Sequence, residues 1–142
     1  MFNPGKDDVR RFFCQAWARH LRREPLAPIE SLAVDWIIEH PEHHADLEDL
    51  ESALNAEYPV TQGRINPFLH LSMHLSIEEQ VSIDQPPGIR DAFDRLTRRL
   101  DSRHTAMHEV MECLGEALWK AQRDGCAIDA DAYVEAVRRR VG

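Results

Sequence analysis

The chain has 142 residues, a formal net charge of −8 and 43% hydrophobic residues. That length can bury a core without disulfides, and that composition argues against global disorder. The acidic balance excludes binding of nucleic acid through overall basic charge, and no apolar run approaches the roughly 18 residues of a membrane span. The three cysteines, Cys14, Cys113 and Cys126, are odd in number and far apart. They suit a reducing cytoplasm better than a disulfide scaffold, with Cys113 as a small buried apolar residue. Met1 to Asp8 lacks a basic stretch followed by an apolar one, so no signal peptide is expected.

Helical periodicity runs through the chain. Val9, Phe12, Phe13, Ala16, Trp17 and Leu21 share one face and predict a first helix over Lys6 to Arg23, opened by Asn3-Pro4. Ile29, Leu32, Ala33, Trp36 and Ile37 form the inner stripe of a second, Pro28 to His40, which Pro41 ends. Leu47, Leu50 and Leu54 predict a third, His44 to Glu57, before a loop over Tyr58 to Asn66. Asn66 as N-cap and Pro67 as first helical residue open a fourth, Pro67 to Ile83. Leu69, Leu71, Met73, Leu75, Ile77 and Val81 cover much of its circumference, the mark of a central helix. Pro86-Pro87-Gly88 breaks the chain before a fifth helix, Ile89 to Leu100. A sixth spans Ser102 to Arg123 and stops at Asp124-Gly125, and Asp129 caps a last one, Ala130 to Arg140. No stretch alternates as a strand does. The expected fold is all-α: one domain over 1–142, an irregular bundle of about six to seven helices.

The fourth helix carries His70-Leu71-Ser72-Met73-His74-Leu75-Ser76-Ile77-Glu78, and the sixth carries His104-Thr105-Ala106-Met107-His108-Glu109-Val110-Met111-Glu112. Both read H-x-x-M-H-x-x-[I/M]-E. Residues four apart on a helix differ by about 40° around the axis. Their Cβ atoms lie roughly 5–6 Å apart, so two imidazoles at this spacing can reach one metal ion. Glu78 and Glu112 each lie one further turn along. If the two helices face each other, His70, His74, His104, His108, Glu78 and Glu112 form the expected ligand set, sufficient for one or two ions. Imidazole with carboxylate suits iron, zinc or manganese, and without thiolate an iron–sulfur cluster is not expected.

The other polar groups carry less. His40, His43 and His44, with Glu39 and Glu42, straddle Pro41 and are expected to face solvent at a helix end, where one of them can complete or gate the site. His20 stands alone. Trp119 is expected in the core. Arg10/Arg11, Arg22/Arg23, Arg98/Arg99 and Arg138 to Arg140 read as solvated helix faces, with an anionic partner as the alternative.

Asn66-Pro67-Phe68-Leu69-His70 through Glu79-Gln80, and Met111-Glu112-Cys113-Leu114 through Leu118-Trp119-Lys120-Ala121-Gln122-Arg123, resemble a proteobacterial family described as domain of unknown function 1841. The resemblance covers nearly the whole chain and implies a small helical bacterial protein. It implies no activity. It places the family's glutamate at Glu79, directly before Gln80, about 100° around the helix from Glu78, in a role beside the ligands or at a helix contact.

The functional expectation is a cytoplasmic helical metal-binding protein, of di-metal oxidoreductase or hydrolase type, acting on a small molecule. The alternative is a non-enzymatic protein-interaction or regulatory module whose His–Glu network is structural. Neither a nucleic acid nor a membrane is expected as a partner.

Overall fold

A computed structural model describes residues 5–58 and 66–142. The start signal at Asn3-Pro4 and most of the loop expected over Tyr58 to Asn66 lie outside the described residues. Among the described residues there are eight α-helices, one 3-10 turn and no strand: α1 (Lys6–Leu21), α2 (Pro28–Ile38), the turn Pro41–His43, α3 (His44–Leu47), α4 (Leu50–Asn55), α5 (Pro67–Ile83), α6 (Ile89–Leu100), α7 (Arg103–Asp124) and α8 (Ala130–Val141). The all-α expectation holds. No helix among the described residues is long and apolar enough to cross a membrane.

The chain forms two compact units, Met1–Leu75 and Ser76–Gly142. In the first, α1 packs against α2, α3 and α4. Phe13, Ala16, Trp17, Ala33, Val34, Trp36, Ile37, Leu47 and Ala53 are buried. The helix expected over His44 to Glu57 is instead broken. The Asp49 carboxylate accepts the Glu51 N–H and the Ser52 hydroxyl, and so starts α4 afresh. Leu21 and Ile29, expected on inner stripes, are exposed instead. Each lies within the end turn of its helix.

Arg10 also departs from expectation. It is 3% exposed rather than solvated. Its Nη1 donates to the carbonyls of Ala53 and Ala56, at 2.6 and 2.7 Å. These are acceptors that the last turn of α4 cannot satisfy by itself. The guanidinium lies 5.1 Å from the Phe68 ring centroid and 5.6 Å from that of Tyr58.

In the second unit, α6, α7 and α8 pack on one another. Ile89, Phe93, Leu96, Met107, Val110, Leu114, Tyr133 and Val137 are buried there. Ser102 caps α7 by accepting from Thr105, and Asp129 caps α8 by accepting from Ala132. Gly125, at φ +66°, ends α7. The Tyr133 hydroxyl donates to Gln80 Oε1 at 2.7 Å. Trp119 is 58% exposed, a correction to its expected place in the core, and the Arg123 guanidinium covers its ring at 4.9 Å. Leu69, expected within a buried circumference, is likewise exposed, whereas Leu71 and Ile77 are fully buried.

Candidate metal centre

The end of α2 shows why histidines belong there. A helix leaves its last carbonyls without intrahelical donors. His40 Nδ1–H donates to the Trp36 carbonyl at 2.8 Å, and His44 Nε2–H donates to the Ile37 carbonyl at 2.7 Å. A carbonyl only accepts, so each bond fixes a tautomer. In neutral His40 the remaining lone pair is on Nε2. Metal-binding histidines are commonly held in this way, by a hydrogen bond from the outer ring nitrogen to a carbonyl.

α5 supplies the facing pair. Asn66 caps it, its side-chain oxygen accepting the Phe68 and Leu69 N–H groups, and Pro67 follows. This start sets the helical phase of His70 and His74. His74 is fully buried and lies stacked on the Trp36 indole, with ring centroids 3.9 Å apart. His40 lies 4.6 Å from His70 and 4.8 Å from His74 between ring centroids.

The nitrogens come closer than the rings require. His70 Nε2 and His74 Nε2 are 3.1 Å apart. Zinc–imidazole bonds of about 2.0–2.1 Å place two ligand nitrogens about 3.3 Å apart in a tetrahedron and about 2.9 Å apart at a right angle. His40, His70 and His74 each offer a ring nitrogen within 4.8 Å of the others. This histidine cluster, with His40 and His74 buried and His70 half-buried, can hold a metal ion.

Of the residues around Pro41 expected to face solvent, Glu39 and Glu42 do so, whereas His40 and His43 are 4% and 5% exposed, a correction to that expectation. His43 Nε2 is 2.9 Å from His70 Nδ1. Burial is the main reason that the His43 pKa lies below its ordinary value, and the nearby His40 and His44 push the same way against Glu42 and Asp46. His40 had a legible signal, since it continues the stripe Ala33, Trp36, Ile37 at helical spacing. His43 had none, because it lies beyond a proline break where helical phase no longer applies.

In the second unit the His104 and His108 rings lie 4.5 Å apart, and His108 Nδ1–H donates to the His104 carbonyl at 3.0 Å. The lone pair of neutral His108 is therefore on Nε2. The two glutamates of the pattern engage arginines. Glu78 takes a two-pronged ion pair from Arg103, at 2.6 and 2.7 Å. Glu112, largely exposed, accepts from Arg140 at 2.6 Å.

The chain matches, over residues 5–139, the model of a family described as "Domain of unknown function (DUF1841)". It belongs to this family. Neither the curated proteins nor the solved structures contain a match to it. The DUF1841 description carries no activity, so a functional reading of this family member rests on its side chains.

Proposed function

We propose that the protein binds a transition-metal ion through His40, His70 and His74. The observation that supports this reading most is the 3.1 Å separation of the two α5 imidazole nitrogens, the span of two ligands on one ion. Imidazole donors suit zinc and iron, whereas manganese favours oxygen. With Glu78 and Glu112 engaged by arginines, both glutamates are left out of the proposed ligand set. The His104/His108 pair is proposed as a metal-binding element in its own right, on its spacing and on the fixed tautomer of His108. A role as oxidoreductase or hydrolase further requires a coordination position open to water or oxygen.

Metal analysis of protein purified without a histidine tag tests this reading. His40→Ala and His74→Ala should each abolish binding at the first site, and His108→Ala should lower the total metal content. His20→Ala should leave the metal in place. Protein that holds no transition metal even after reconstitution overturns the proposal.

One observation favours a second reading. The spacings His43–His70 and His70–His74 also suit two consecutive N–H···N hydrogen bonds. On that reading the imidazoles form a metal-free structural network in an interaction or regulatory module. Its signature is a melting temperature that strong chelator leaves unchanged.

A further inference from the structure

We infer that His43 is the positioning residue that holds His70 in its metal-binding tautomer. This rests on the metal-site reading above and assigns a role to a side chain outside the proposed ligand set.

His70 lies between two imidazoles. Its Nε2 is 3.1 Å from His74 Nε2, and its Nδ1 is 2.9 Å from His43 Nε2. A neutral imidazole has one N–H and one lone pair. Coordination through Nε2 obliges the His70 proton to sit on Nδ1. Even a part-buried N–H loses free energy when it has no acceptor. The atom facing that N–H is His43 Nε2, which accepts it when the His43 proton is on its own Nδ1. Each ring is then neutral, and no proton is shared or lost.

The arrangement parallels that of His40, with one difference. The outer nitrogen of His40 is held by a backbone carbonyl, that of Trp36. The outer nitrogen of His70 meets a side chain, that of His43. The 3-10 turn Pro41–His43 places that residue, and the His43 N–H donates to the His40 carbonyl at 3.0 Å. The same short turn thus joins a ligand, His40, to the partner of another ligand, His70.

Zinc titration against a chromophoric chelator tests the inference, with wild type, His43→Leu and His43→Gln compared. Loss of an orienting partner typically weakens metal binding about 10- to 100-fold. His43→Leu, which has no acceptor, should show that loss while still reaching wild-type stoichiometry at saturating zinc. His43→Gln, whose Oε1 accepts, should recover most of the affinity. Wild-type affinity in His43→Leu, or equal weakness in both variants, overturns the positioning role. Long-range proton–nitrogen correlation spectra of zinc-loaded wild type decide the matter without a variant. They should show His70 protonated at Nδ1 and coordinated at Nε2, and a proton on Nε2 overturns the inference. Failure of the wild type itself to bind zinc at this site is a different result, which removes the site reading as a whole.

Discussion

The Trp36 indole and the His74 imidazole are stacked, with centroids 3.9 Å apart and planes 17° from parallel. The contact joins α2 to the first turns of α5, and both rings are buried. Trp36 therefore fills core volume and holds the plane of the His74 imidazole, which on the proposed metal reading orients a ligand.

Trp36→Ala should destabilise the protein by about 3–5 kcal/mol, the usual cost of emptying a large aromatic site. It should also weaken metal binding, because His74 loses the surface that orients it. Trp36→Phe keeps a flat ring and should retain most of both properties. Urea denaturation and zinc titration of the two variants measure this. Wild-type zinc affinity in a folded Trp36→Ala would show that the stack does not orient the ligand.

The metal-free protein should lose stability as pH falls. The folded-state pKa of His43 is depressed below its ordinary value of 6.5, chiefly by burial. Between the folded and unfolded values the unfolded chain binds more protons, so stability rises with pH across that window. The contribution is fully present above 6.5 and disappears as pH drops through the folded value. Urea midpoints of chelator-treated protein at about pH 7.5 and about pH 5.5 should show the drop, since this is the range in which histidine titrates. His43→Gln should reduce the slope, and an unchanged slope in that variant would assign the effect to other groups.

How much of this was legible in the sequence varies by residue. Caps and breakers served well: Asn66, Asp129 and Gly125 act where local rules place them, because capping is satisfied within one turn. The break inside the expected third helix was missed. The periodicity of Leu47, Leu50 and Leu54 is blind to Asp49, whose carboxylate takes the Glu51 N–H and the Ser52 hydroxyl. Within the site, the i,i+4 pair His70/His74 was legible because helical spacing alone brings its rings together. His43 approaches His70 across 27 positions of chain, a tertiary relation that periodicity does not encode. Glu78 and Glu112 are candidates on spacing alone, and spacing does not show that Arg103 and Arg140 engage them.

Arg10 illustrates the same limit and yields its own test. Its charge suggested a solvated face, yet it closes the end of α4 from the interior. Arg10→Ala leaves two carbonyls without their donor and removes the cation from beside two aromatic rings. A loss of about 2–4 kcal/mol is expected. Arg10→Lys keeps one donor and the charge but not the planar fork, and should fall between wild type and Arg10→Ala. Chemical denaturation of the three proteins gives the order, and a change below the error of the Arg10→Ala measurement would contradict the buried role.

The glutamates give the sharpest separation between spacing and geometry. Glu78 pairs with Arg103 through two bonds, and its own side chain is only 13% exposed against 48% for Arg103, so solvent screens that pair only in part. Glu112→Gln, at an exposed carboxylate, should change stability by less than about 1 kcal/mol, and Glu78→Gln should cost more than Glu112→Gln. Neither should change metal content, because an imidazole site does not need their charge. His74→Ala, by contrast, should empty the first site. If Glu78→Gln instead releases metal while the protein stays folded, the carboxylate is a ligand that abandons Arg103 once an ion is present. The repeated H-x-x-M-H-x-x-[I/M]-E spacing would then be the better guide to the bound state.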